Sequence, residues 1–436
     1  MKRALLLFFL GSAIGVHANA QDVLQLPSQR PRAATNVAKP SSDRVRNSPK
    51  PEVALPAVLK LFDQYQVVGL SDLHGCVELL AFVQQLIRMP EFGTKVNDFT
   101  WEPGNARFQG LMDDFILRGK EIPYKELALC WRNNTQSHTY SDTPALFGLL
   151  ETIRLMNLRQ PEARRVRVLL IDPPVDWSKI RSKADFRERD FDRESHMAEV
   201  LEREVYAKGR KALFFAGGAH LGRGGAAATP TQAKKNSDGP ELMPFGAAAQ
   251  EKPLEKRGNS NFVSPLQALE RKHPGTTFNI AIHEGFGDRT DELEARLVNW
   301  PKPALAQIRG IWWGELTPPP SGDVFIGPGG KPVQPKIDYK IQDRWDAILF
   351  LGKRKDLTRV DPPGPNVLDA EWMSELRRRK EIRGGPGGGL ELKEKPFSRQ
   401  FFSEDSPQGD QMMRLPLSPE APATPDSPQR RKPAPQ

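Results

Sequence analysis

The chain reads as an α/β protein, with a largely parallel central sheet flanked by helices in one domain. A flexible N-terminal linker and a disordered C-terminal tail enclose it. Three observations predict this. Short apolar runs alternate with amphipathic stretches through the middle of the chain. Proline is crowded toward the ends, where 16 of the 40 Pro fall outside the middle. The polar residues with the most chemistry stand where the apolar runs stop.

From the amino end, residues 1–20 have the form of a secretory signal. Lys2 and Arg3 give a positive start, and Ala4 to Val16 is an apolar stretch too short to span a bilayer. Ala18-Asn19-Ala20 places small residues at the positions a signal peptidase reads, with cleavage after Ala20. A periplasmic or secreted protein is expected, with no transmembrane segment in the mature chain and no lipid-anchor cysteine. Residues 21–56 carry six Pro and read as a flexible linker. Residues 384–436 carry ten Pro and six Gly without a periodic apolar face, and read as a disordered tail. The expected domain is therefore 57–383, which is ample for one large core.

Charge narrows the function. The net charge is +9, but the signal holds +2, the linker +3 and the tail 0, which leaves +4 on the core. The pI of about 9.4 thus describes mainly the ends, and a nucleic-acid partner is not expected. Arg377-Arg378-Arg379 reads as a solvated helix face.

Within the core, Gln66 to Leu70 predicts a buried strand that ends in Ser71-Asp72-Leu73-His74-Gly75, and a helix over about 77–88 follows. Asp98 to Trp101 predicts a second strand, ending at Glu102-Pro103-Gly104-Asn105. Helices are expected over 106–118, 124–131 and 144–158. Val166 to Ile171 predicts a strand ending at Asp172, and a helix over about 189–207 leads to the strand Ala212 to Ala216. That strand stops at Gly217-Gly218-Ala219-His220. Residues 224–262, rich in Ala, Gly, Lys and Pro, read as a loop insertion. A helix over 265–272, a strand from Thr277 to Ile282, a helix over 291–298 and a strand from Ala347 to Leu351 complete the pattern.

Four strands therefore end in ionisable residues: Asp72 and His74, Glu102, Asp172 with Asp176, and His220. In open parallel sheets ligands bind beyond the carboxyl ends of the strands, so these residues are expected to share a polar site. Two histidines with carboxylates suit general acid–base hydrolysis, and they equally suit a divalent metal. His138, His196, His273 and His283 lack the strand-end placement, although His196 lies beside Met197 on a predicted helix. Cys76 and Cys130 leave a disulfide open, and Cys76 with His74 makes a thiol nucleophile conceivable. Asp72-Leu73-His74 matches the D-x-H opening of metallophosphoesterases. Of the further metal-binding blocks those enzymes need, Gly287-Asp288-Arg289-Thr290-Asp291 fits only formally, and Gly104-Asn105 is followed by Ala106 rather than His.

In their order, the motifs resemble the erythromycin-esterase-like, ChaN-like and Tiki (TraB) superfamily, with most likeness to the esterase-like branch. Ser71-Asp72-Leu73-His74 stands for a G-E-x-H-like turn, and Glu102 for a strand-end glutamate. Arg193-Glu194-Ser195-His196-Met197-Ala198 stands for R-D-x-x-M-A, and Gly217-Gly218-Ala219-His220 for G-x-x-H. The stretches 105–119, 131–159, 168–172 and 345–350 are also similar, so the resemblance spans about 62–352. Asp72 and Glu194 exchange the family's acid for the other carboxylate, and Ser71 replaces a glycine.

The resemblance implies an exported hydrolase in which water attacks an ester or amide of a small-molecule or peptide substrate. His74 would be the general base or a metal ligand. Glu102 would orient it or share the ligand, and His220 would stabilise the oxyanion or bind metal. Arg193 would pair with a carboxylate, since its fork matches that geometry. Asp72 completes the expected catalytic set, with Asp172 and Asp176 as support and Trp177, Trp312 and Trp313 as candidate pocket walls. A metal would fall to His74, Glu102 and His220. The branches differ in cofactor, which leaves none, a divalent metal or haem open. The haem-ligand tyrosine of the ChaN-like branch has no match among the five tyrosines. The alternatives are a periplasmic haem, iron or metal carrier, a metallophosphoesterase, and a degenerate interaction protein that uses its Pro-rich tail.

Overall fold

The apolar runs lie side by side in one eight-stranded sheet. The computed structural model describes residues 48–136, 140–189, 191–223, 263–319, 325–326, 332–333, 339–358 and 369–383. The expected signal, most of the linker, the 224–262 insertion, the tail and His138 lie outside these residues. The strands are β1 (Glu52–Val53), β2 (Val67–Asp72), β3 (Asp98–Asn105), β4 (Arg167–Asp172), β5 (Ala212–Gly217), β6 (Thr277–Ile282), β7 (Ala304–Gln307) and β10 (Ala347–Phe350). A separate pair, β8 (Phe325–Ile326) and β9 (Pro332–Val333), runs antiparallel. The sheet order is β1-β7-β10-β6-β2-β5-β3-β4. The six strands from β10 to β4 are parallel, and β7 and β1 add an antiparallel edge.

The helices of eight or more residues are α1 (Ala54–Leu61), α2 (Val77–Arg88), α3 (Gln109–Ile116), α4 (Pro144–Leu158), α5 (Arg193–Leu201), α6 (Pro265–Lys272) and α7 (Ala370–Arg383). They cover both faces of the sheet, which is why the central strands are apolar without alternation. Side chains nevertheless alternate between two cores. Val68, Leu70, Leu213, Phe215, Phe99 and Trp101 pack with residues of α1 to α4 in the larger one. Val67, Phe214, Ala216, Leu169 and Ile171 pack against α5 and α6 in the other. Leu79, Phe82, Val83 and Leu86 on α2 recur at helical spacing and are all buried, at about 2 kcal/mol each.

Several boundaries differ from the sequence reading. Structure begins earlier: Glu52, Val53 and part of α1 fall inside the expected linker, because β1 pairs with β7 and Ala54, Val58 and Leu61 bring an apolar helix face into the core. Strand β3 runs on through Pro103 and Gly104 to Asn105, with its register to β4 shifted between Trp101 and Asn105. The long helix expected over 189–207 is α5 followed by a π turn, Glu202–Tyr206, with Lys183–Glu188 as a separate helix before it. The short strand β7 was not anticipated. The arginine triplet is not simply solvated: Arg378 and Arg379 donate to backbone carbonyls of neighbouring loops.

The sheet order has one consequence for chemistry. Strands β2, β5, β3 and β4 are consecutive neighbours although their order in the chain is different. Their carboxyl ends carry Asp72, Gly217, Glu102 and Asp172.

Candidate active site

Register aligns the strand ends directly. Asp72 lies opposite Gly217, and Asn105 opposite Asp172. After Asp72 the chain turns through Gly75, whose φ of 79° is a conformation that favours glycine. The turn brings His74 back over the strand end, where its Nδ1 meets Asp72 Oδ2 at 2.8 Å. Asp72 is buried, whereas the His74 side chain keeps 44% of its exposure.

Glu102 lies behind this pair and is 6% exposed. Its Oε2 accepts the Gly217 N–H at 2.8 Å. Its Oε1 meets His220 Nε2 at 3.2 Å and Arg193 Nη2 at 3.3 Å. Gly217 packs closely here: a Cβ would stand 3.3 Å from the His74 ring, which would have to give by a few tenths of an ångström, and 3.6 Å from Glu102 Oε2. His220 uses its other ring nitrogen on the Glu194 carboxylate at 2.9 Å. Arg193 Nε donates to Asp172 Oδ1 at 2.7 Å, and Asp172 in turn accepts from the Thr135 N–H and hydroxyl at 2.6 and 2.8 Å. Arg193 and Glu194 reach inward because they open α5, which Asp192 caps by accepting the Ser195 N–H at 3.1 Å.

This chain of alternating charges biases the protonation of His74, His220, Glu102 and Arg193. Burial alone would lower His74. The hydrogen bond and charge of Asp72, followed by the charge of Glu102, more than reverse this and raise it to about 9. Burial likewise opposes charge on His220, yet Glu102 and Glu194 raise it to about 9. Burial would raise Glu102, but His220, His74 and Arg193 hold it well below the usual carboxylate range. Arg193 is raised despite its burial by Asp172 and Glu102. The network is thus a set of ion pairs in which His74 alone combines a titratable ring with a substantial solvent face.

Asp72, His74 and Glu102 line a cavity of about 10 Å³, room for roughly one water molecule. Trp101, Pro103, Leu146, Phe215 and Gln136 complete its wall. A metal does not fit the residues present. Glu102 already accepts three donors, one a guanidinium 3.3 Å away, and His220 has committed both nitrogens to carboxylates. Among the described residues no group of three His, Cys, Asp or Glu side chains is arranged to hold a metal ion.

The structure gathers His74, Asp72, Glu102, His220, Arg193 and Asp172. Asp176 is elsewhere, paired with Arg107 at 2.5 Å and capping a turn through Ser178. Trp177 packs into a small core with Val175 and Ile180, and Trp313 into another with Phe286 and Ile308. Trp312 stacks on Trp313 beneath Arg296. None of the three tryptophans lines the cavity. His283 does follow a strand end, that of β6, but it is buried with Glu294 at 3.1 Å beside Trp313. His273 stacks on Tyr206 and pairs with Glu202, and His196 is held below its ordinary value by burial. Asp288 and Asp291 of the formal metallophosphoesterase block are exposed, Asp291 in the first turn of the short helix Thr290–Ala295, and are not among the cavity residues. Cys76 and Cys130 are free and buried, and burial pushes both thiols up to about 12, which leaves Cys76 a poor nucleophile. Thr135, Gln136 and the Gly217 N–H went unnoticed in the sequence. Thr135 and Gln136 sit in an irregular stretch with no motif around them.

No protein family and no curated protein matches the chain at the sequence level. Among solved structures it is similar to a succinoglycan biosynthesis protein, at 12% identity and TM-score 0.44, over 71% of this chain and 95% of that one. It is similar to a Bacillus cereus protein at 10% identity and TM-score 0.41, over 70% and 94%. It is also similar to the type III effector HopBA1 at 9% identity and TM-score 0.32, over 70% and 98%.

Proposed function

We propose that the chain is a hydrolase of the erythromycin-esterase-like kind, one that activates water against an ester or amide of a small-molecule or peptide substrate. The observation that carries this reading is the Asp72–His74 pair at the mouth of a water-sized cavity, backed by the fixed carboxylate of Glu102. Neutral His74 takes a proton from water at Nε2. Asp72 holds the ring through Nδ1, and with Glu102 it stabilises the imidazolium that forms. The same proton then passes to the leaving oxygen or nitrogen. His220 and Arg193 act from behind: they keep Glu102 ionised and immobile. This gives His220 a supporting part, because both its nitrogens are already engaged. The site is proposed to work in an exported protein, in keeping with the signal-like first twenty residues.

The experiment is turnover of a panel of p-nitrophenyl esters and peptide anilides by the purified chain and its His74→Ala variant. The variant should keep its far-ultraviolet circular dichroism and lose about 10²–10⁴-fold in kcat/KM. A wild-type protein that turns over no substrate and carries stoichiometric haem or iron would favour the carrier alternative.

A further inference from the structure

Residues 132–136 form an irregular segment beyond Arg132 that reaches the wall of the site at Gln136, and side chains from other elements satisfy it almost residue by residue. The Arg132 carbonyl accepts Arg379 Nη1 at 2.8 Å. The Asn133 carbonyl accepts Asn105 Nδ2 at 2.8 Å, and its side-chain oxygen accepts Arg379 Nη2 at 2.6 Å. The Asn134 carbonyl accepts the Trp177 ring N–H at 2.9 Å. Thr135 gives both its donors to Asp172, and the Gln136 carbonyl accepts Arg383 Nη1. Buried backbone groups must be paired, but here two of the four carbonyls, those of Arg132 and Gln136, are paired by arginines, which are costly to bury. Arg379 is 4% exposed and lies between the rings of Trp177 and Trp372, at 4.9 and 5.1 Å. Arg378 fastens the adjacent loop after β4 through the Ile180 and Trp177 carbonyls.

The last two residues of this segment differ in what they support. Gln136 lines the cavity, while Thr135 holds the carboxylate that holds Arg193, which in turn holds Glu102. We propose that Arg379 and Arg383 of α7 are positioning residues of the active site, acting through residues 132–136 on Asp172, Arg193 and Glu102. The helix after the sheet is thus part of the catalytic apparatus, although no residue of it lines the cavity. The inference rests on the hydrolase reading for its kinetic arm and is independent of it for its structural arm.

Two variants test it in the full-length chain. Arg383→Met removes one donor from a half-buried position and should fold. Arg379→Lys keeps the charge and loses the fork. Hydrogen exchange should speed at least tenfold at the Thr135 amide in both variants, while amides of β2 keep their wild-type rates. With a p-nitrophenyl ester, kcat should fall about tenfold or more at nearly constant KM. Millimolar methylguanidinium should restore part of the loss in Arg383→Met and nothing in wild type. Wild-type exchange across 132–136 in both variants would overturn the proposal whether or not the protein turns over esters. Altered exchange with unchanged kcat would overturn its catalytic part.

Discussion

Two charged clusters occupy opposite ends of the same parallel strands. At the amino ends, Arg167 grips Asp113 through two bonds of 3.0 Å and Glu204 through one of 2.7 Å. Arg210 grips Asp98 at 2.6 and 2.8 Å, and Lys208 meets Glu204 at 2.6 Å. This end has the larger cavity, about 210 Å³. At the carboxyl ends the cavity is small, but the ion pairs run through histidines. The amino-end cluster is built from arginine, lysine and carboxylates without a histidine: Glu204, which burial would raise, is brought down to about 2 by Lys208, Arg203 and Arg167, while burial raises Asp98 despite Arg210. The carboxyl-end cluster contains two imidazoles, one of them facing solvent. Charge density and cavity size therefore do not distinguish a site from a structural clamp in this molecule. On the proposed reading, a titratable group with access to water does.

The comparison can be broken from either end. The largest effect is expected from Glu102→Ala, which leaves buried Arg193 and His220 without their shared carboxylate. Stability should fall by about 3–5 kcal/mol, measured by urea unfolding, with hydrolysis lost in whatever remains folded. A variant of wild-type stability would mean that Glu102 is not the hinge of the network. A smaller effect is expected at the other end. Asp98→Asn should cost about 1–3 kcal/mol by weakening the hold on Arg210, and kcat per folded molecule should stay unchanged. A tenfold change in kcat there would erase the distinction between the two clusters.

Much of this was legible in the sequence, and for definable reasons. The central strands are buried on both faces, so β2, β4 and β5 are unbroken apolar runs. Their ends are sharp because the chain passes abruptly to Asp, His or Gly. That is why His74, Asp72, Glu102 and His220 could be expected to meet. Arg193 was harder, since a helix-starting arginine looks the same whether it faces solvent or Asp172. The path of β3 through Pro103 and Gly104 was hidden, because those residues ordinarily end a strand. The contacts of Thr135, Arg379 and Arg383 around the site were not legible at all: those partners lie 37 to 247 residues away, and two of them are backbone carbonyls, which no motif encodes. Asp176 shows the converse error. Position near a strand end places a residue within reach of the site, but for Asp176 the partner Arg107 decides where the side chain goes.

The central claim is that His74, held by Asp72, is the proton-exchanging group of the site. Its most direct test is the pH dependence of kcat/KM for a p-nitrophenyl ester, corrected for background hydrolysis, in wild type and in Asp72→Asn. Because the folded-state value of His74 is raised to about 9, the neutral base is scarce at pH 7. Activity should therefore climb about tenfold per pH unit and level off near pH 9. Loss of the Asp72 charge should move that midpoint down toward the ordinary histidine value of about 6.5. A wild-type profile that is flat from pH 6 to 9, or a midpoint that Asp72→Asn does not move, would contradict the account.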